Sequence, residues 1–123
     1  MTVAWRHPEK LTPRFKTLVE GAYADCASHL KLTSDWRDPA TFSDPGASPT
    51  SRHYFGEGCD FDIPRKGHGW MVGPFVVALI RRADKMGLTN FLEIELVASA
   101  RDSHLHVALD PNQSAPAIFG ASD

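Results

Sequence analysis

The sequence predicts an α+β fold: a small antiparallel sheet with two main helices packed on it. Two stretches, each opened by a proline, carry apolar residues at the three-and-four spacing of a helix. Four short stretches alternate instead, and a connection short enough for an antiparallel hairpin joins the last two. At 123 residues the chain makes one domain, large enough for a single core. Residues 1–9 and 111–123 read as irregular tails.

Pro13 opens the first helix, whose stripe is Phe15, Leu18, Val19, Ala22, Tyr23, Cys26 and Leu30, giving a span of roughly Pro13 to His29. Leu30-Lys31-Leu32-Thr33 alternates as a short strand. Asp38-Pro39, Asp44-Pro45-Gly46 and Ser48-Pro49 then mark an irregular loop, of a length that is usually functional in so small a domain. Cys59 to Ile63 alternates again and stops at Pro64. Pro74 starts the second helix, with Phe75, Val76, Leu79, Ile80, Ala83 and Met86 as its stripe and Gly87 as its close. The hairpin follows as strands Phe91 to Ala98 and His104 to Leu109, joined through Ser99-Ala100-Arg101-Asp102-Ser103.

Composition removes several classes of function. A net charge of -2 with a pI near 6.3 argues against non-specific binding to nucleic acid. No apolar segment precedes a cleavage site at the N-terminus, and nowhere do eighteen apolar residues run together, so neither a signal peptide nor a membrane span is expected. Two cysteines make no disulfide framework, and reduced thiols are expected.

The chemistry concentrates in two places, the run Ser51 to Asp60 and the triplet His104-Leu105-His106. Two imidazoles and one carboxylate would leave a tetrahedral metal an open corner for hydrolytic water. Gly56 and Gly58 permit a tight backbone path that would bring His53 and Asp60 toward one point. Spacing alone leaves Asp60 and Asp62 open, because they share a strand face. In the hairpin, Leu92, Ile94 and Leu96 face the core with Leu105, Val107 and Leu109, so Glu93, Glu95, His104, His106 and Ala108 share the outer face. Alternation sends Cys59 to the core as a packed thiol.

The run Ser51-x-His53-x-x-Gly56-x-Gly58-x-Asp60, followed far downstream by His104-x-His106, resembles the zinc D,D-carboxypeptidase and L-alanyl-D-glutamate endopeptidase family of peptidoglycan hydrolases, whose fold is shared with the Hedgehog signalling domain. Thr33-Ser34-Asp35-Trp36-Arg37 is similar to the segment that precedes the first zinc motif in that family. The resemblance implies a Hedgehog/D,D-peptidase-like fold with Zn2+ held by His53, Asp60 and His106. It also implies Arg37 as the anchor for a substrate carboxylate and His104 as a group acting beside the metal. Ser51 and Arg52 are further candidates for substrate binding. The chain departs from the pattern at Gly58, where alanine is usual, at Ala108, where an acid often stands, and at Ser103, where many members carry the catalytic Glu or Asp.

Three carboxylates are therefore candidates for the general base: Asp102 by proximity in sequence, and Glu95 or Glu93 by strand face. The expected activity is zinc-dependent hydrolysis of an amide bond in peptidoglycan stem peptides, and the alternative is a non-catalytic zinc-binding recognition or structural module on the same fold. Compactness without a signal peptide resembles phage or prophage lysis proteins. The expected setting is synthesis in the cytoplasm and delivery to the cell wall by lysis or on a phage-like particle.

Overall fold

A computed structural model describes residues 2–40, 51–63, 72–98 and 103–122. Two helices pack together over one face of a five-stranded sheet, an α+β arrangement as the sequence predicts. Helix α1 spans Pro13–Asp25. The Thr12 hydroxyl accepts from the Phe15 main-chain N–H at 3.4 Å, and Pro13 takes the first position, where no N–H is needed. Its buried stripe is Phe15, Leu18, Val19, Ala22 and Tyr23. The helix ends four residues before the expected His29, because Ala27 takes a left-handed conformation with φ 49°. The chain then folds back: Ala27 donates to the Ala24 carbonyl at 3.1 Å and Ser28 to the Tyr23 carbonyl at 3.0 Å.

Helix α2 spans Val72–Lys85, beginning two residues ahead of Pro74, which the first turn tolerates. Gly87, at φ 70°, closes it with the same pair of backward bonds, Gly87 to Asp84 and Leu88 to Ala83. The strands are β1 (Leu32–Ser34), β2 (Gly58–Asp62), β3 (Leu92–Ala98), β4 (Ser103–Leu109) and β5 (Ala117–Ser122), in the spatial order β1-β2-β4-β3-β5. The first four pair antiparallel, as expected.

The fifth strand corrects the expectation of an irregular tail over 111–123, and it makes the sheet mixed, since β5 runs parallel to β3. The Asp110 side chain accepts from the Asn112 N–H, and Gln113 donates to the carbonyls of Asn90 and Leu92, so the turn is tied to the start of β3. Ala-Ile-Phe-Gly-Ala-Ser alternates too weakly to announce a strand; its order comes from pairing with β3. Residues 2–7 form no helix or strand, as expected, but they are not a loose tail, for Val3 is in the core and Pro8–Lys10 forms a 3-10 turn.

The core lies between the helices and one sheet face. Phe61 of β2 stacks on Tyr23 of α1, with ring centroids 6.0 Å apart, and meets the edge of Phe75 of α2 at 5.1 Å. Leu92, Ile94, Leu105, Val107 and Leu109 are buried on this face with Cys59, and both cysteines are free thiols. The opposite face carries Glu93, Glu95, Asp60, His104 and His106, as alternation predicts. Among the described residues, no helix is long and apolar enough to cross a membrane. Residues 41–50 of the irregular loop, the strand stop at Pro64 and positions 99–102 of the hairpin connection lie outside the described residues.

Candidate metal centre

Asp60 and His106 meet because β2 and β4 are neighbours in register: Asp60 stands directly opposite His106, and Asp62 opposite His104. His53 arrives from elsewhere, on a 3-10 turn over Arg52–Phe55 that folds across the outer face. Two glycines allow that crossing. Gly56 is left-handed at φ 71°, and a Cβ there would collide with the Lys10 carbonyl oxygen; a Cβ on Gly58 would sit 3.0 Å from the His53 main-chain nitrogen. The Ser51 hydroxyl caps the turn by accepting from the His53 N–H at 3.3 Å.

Each of His53, Asp60 and His106 offers one ligand atom, and these atoms lie within 4.8 Å of one another. Asp60 bridges the two imidazoles: its Oδ1 is 2.8 Å from His106 Nδ1 and its Oδ2 is 3.4 Å from His53 Nε2. Tetrahedral zinc with bonds of about 2.0–2.1 Å sets its ligand atoms about 3.4 Å apart, so the group fits such an ion with small adjustments. The question between Asp60 and Asp62 is answered by position, since Asp62 is exposed at the end of β2, opposite His104.

The far side of each imidazole is engaged as well. His53 Nδ1 lies 2.5 Å from the Asp35 carbonyl oxygen. A carbonyl only accepts, so Nδ1 carries a proton, and in the neutral ring the lone pair is on Nε2, toward Asp60. His106 is turned the other way, with Nδ1 toward Asp60 and Nε2 3.4 Å from Glu93 Oε1. Burial opposes charge on His106, but the bonds to Asp60 and Glu93 outweigh it and raise its pKa to about 9. Burial likewise opposes ionisation of Asp60, yet His106 and His53 hold its carboxyl well below the usual range.

Sequence reasoning passed over Asp35, which is fully buried and has a second task. Its carboxylate accepts from the main-chain N–H groups of Arg6 at 2.8 Å and His7 at 2.9 Å, and from His7 Nδ1 at 2.7 Å. Burial pushes that carboxyl up, but these bonds outweigh it and keep it below its ordinary value. One residue thus fastens the N-terminal segment and aims the His53 imidazole toward Asp60. Its position between Ser34 and Trp36 in the motif was the only signal.

Glu57 was also missed. It is buried and accepts from Thr12, from Arg14 through two nitrogens, and from Arg52 at 3.0 Å. The second bond of Arg52 runs to the Leu109 carbonyl at 2.8 Å, and its guanidinium lies over the Phe55 ring. Arg52 thus staples the turn to β4 instead of facing solvent. Arg37 keeps an exposed side chain, while its main-chain N–H donates to the His53 carbonyl at 3.2 Å, which places it beside the centre.

Among the base candidates, Glu95 stands directly opposite His106, in a row Asp60, His106, Glu95, Phe119 that crosses four strands. Glu93 stands opposite Ala108, and His104 is opposite Val97 on one side and Asp62 on the other. Asp102 lies outside the described residues. The arrangement can hold a metal ion through two nitrogens and one carboxylate, with further carboxylates on the same face. No protein-family model matches the chain, and no curated protein matches it, so its chemistry has to be read from these residues.

Proposed function

We propose that the chain is a zinc-dependent peptidase that hydrolyses an amide bond in peptidoglycan stem peptides. The observation that carries the proposal is the convergence of His53 Nε2, Asp60 and His106 Nδ1, each imidazole oriented from behind, with a carboxylate alongside on the neighbouring strand. When bound there, zinc would supply Lewis acidity and a water activated near neutral pH. Glu95 takes the part of general base, accepting a proton from the attacking water and returning it to the leaving amine. Arg37 binds a substrate carboxylate through its exposed guanidinium. Stem peptides carry several such carboxylates. The same proposal has the protein reach the wall through another component, as in phage lysis.

Incubating zinc-loaded protein with purified peptidoglycan and short stem peptides, with products read by mass spectrometry and a chelated control, tests the reading. Metal-dependent release of a defined fragment, lost in Glu95→Gln and kept in Asp102→Asn, is the expected result. Stoichiometric zinc without release from any wall type tested would move the assignment to a non-catalytic zinc-binding module, which the serine at position 103 favours.

A further inference from the structure

Glu93 and Glu95 share one face of β3, yet they meet different surroundings. Glu95 stands opposite His106, whereas Glu93 stands opposite Ala108, two residues further along β4 on the same face. Ala108 is fully buried and presents only a methyl group. The Glu93 carboxylate ends 3.4 Å from His106 Nε2, on the opposite side of the ring from Asp60. Only 24 % of its side chain is exposed.

We propose that Glu93 is a positioning residue: its carboxylate accepts the Nε2 proton of neutral His106, fixes the tautomer with its lone pair on Nδ1, and thereby sets the metal affinity of the centre. The proposal rests on His53, Asp60 and His106 being the metal ligands. It separates the two glutamates by task, Glu93 holding a ligand from behind and Glu95 moving the substrate's proton. The Asp35 carbonyl does for His53 what Glu93 does for His106, with the ring nitrogens exchanged. Hydrogen bonds of this kind orient a ligand and raise its basicity, and their loss commonly weakens metal binding about 10–100-fold.

The test is zinc affinity, measured by competition with a chromophoric chelator, for the wild-type chain and for Glu93→Ala, Glu93→Gln and Glu95→Gln. Circular dichroism of each zinc-free variant checks the fold. Glu93→Ala is expected to lose about 10–100-fold in affinity, Glu93→Gln to recover part of it because an amide oxygen still accepts from Nε2, and Glu95→Gln to bind as the wild type does. Long-range proton–nitrogen NMR of the zinc-loaded protein should show His106 protonated at Nε2 in the wild type and in Glu93→Gln. A folded Glu93→Ala that binds zinc within twofold of the wild type, or an equal loss in Glu95→Gln, overturns the proposal. Neither readout requires turnover, so a wild-type chain that binds zinc but releases no peptide defeats the peptidase reading and leaves this one standing. Failure of the wild-type chain to bind zinc defeats both.

Discussion

His53 donates from Nδ1 to the main-chain carbonyl of Asp35 at 2.5 Å, a bond between the first residue of the motif to reach the centre and the residue that follows β1. The contact settles which ring nitrogen faces Asp60 before any ion arrives. It also links the centre to the N-terminal segment, because the carboxylate of the same Asp35 is occupied by Arg6 and His7. A pre-oriented imidazole lowers the ordering cost of binding an ion.

Zinc should therefore stabilise the folded chain. At a free concentration about 100 times its dissociation constant it should add about 2.7 kcal/mol, read as a rise in Tm over a chelated sample. His106→Ala and Asp60→Asn should lose that rise. An equal rise in either variant would place the ion elsewhere.

Without metal, stability should vary with pH in a defined sense. His106 has a folded pKa of about 9 against 6.5 for the ordinary imidazole, so its contribution is complete below 6.5 and disappears as pH climbs through about 9. The full difference corresponds to about 3 kcal/mol. Asp60 is held below its ordinary 3.8, so its contribution is present above that pH and is lost on acidification. The chelated protein should melt highest between those two limits and lower at pH 9, a decline absent in His106→Ala. Zinc binding should show the reverse slope, tightening up to pH 9 as the His106 proton is displaced. Calorimetry in two buffers of different ionisation heat should count about one proton released per zinc at pH 7.5.

The two candidate anchor arginines should part company. Arg37→Ala removes an exposed guanidinium and should change stability by less than about 0.5 kcal/mol, while raising KM for a stem peptide. Arg52→Ala leaves the buried Glu57 carboxylate with one arginine fewer and the Leu109 carbonyl without its donor. It should cost about 2–4 kcal/mol in denaturant unfolding.

Ala27 closes α1 in a conformation that favours glycine. Ala27→Gly should stabilise the chain by about 0.5–1 kcal/mol, measured as an upward shift of the urea midpoint without change in slope.

Strand faces were legible in the sequence because alternation is enforced by burial: Ile94, Leu105 and Val107 had to face the helices, which sent Glu95 and His106 outward together. Asp60 against His106 could be anticipated only as a shared site, since register between strands far apart in the chain has no local signal. The strand Ala117–Ser122 escaped for the same reason, its order coming from β3. Asp35 and Glu57 escaped differently. Their partners, the backbone of Arg6 and His7 and the side chains of Arg14 and Arg52, are distant in sequence from one or both of them and meet them only in the folded chain.

The measurement that goes most directly to the centre is zinc K-edge X-ray absorption on protein loaded with one equivalent of zinc. Two imidazole nitrogens at about 2.0–2.1 Å with oxygen at about 2.0–2.2 Å, and no sulfur, are the predicted environment, with the imidazole signal lowered or lost in His106→Ala. A sulfur scatterer at about 2.3 Å, or a spectrum that His106→Ala leaves unchanged, would contradict the account.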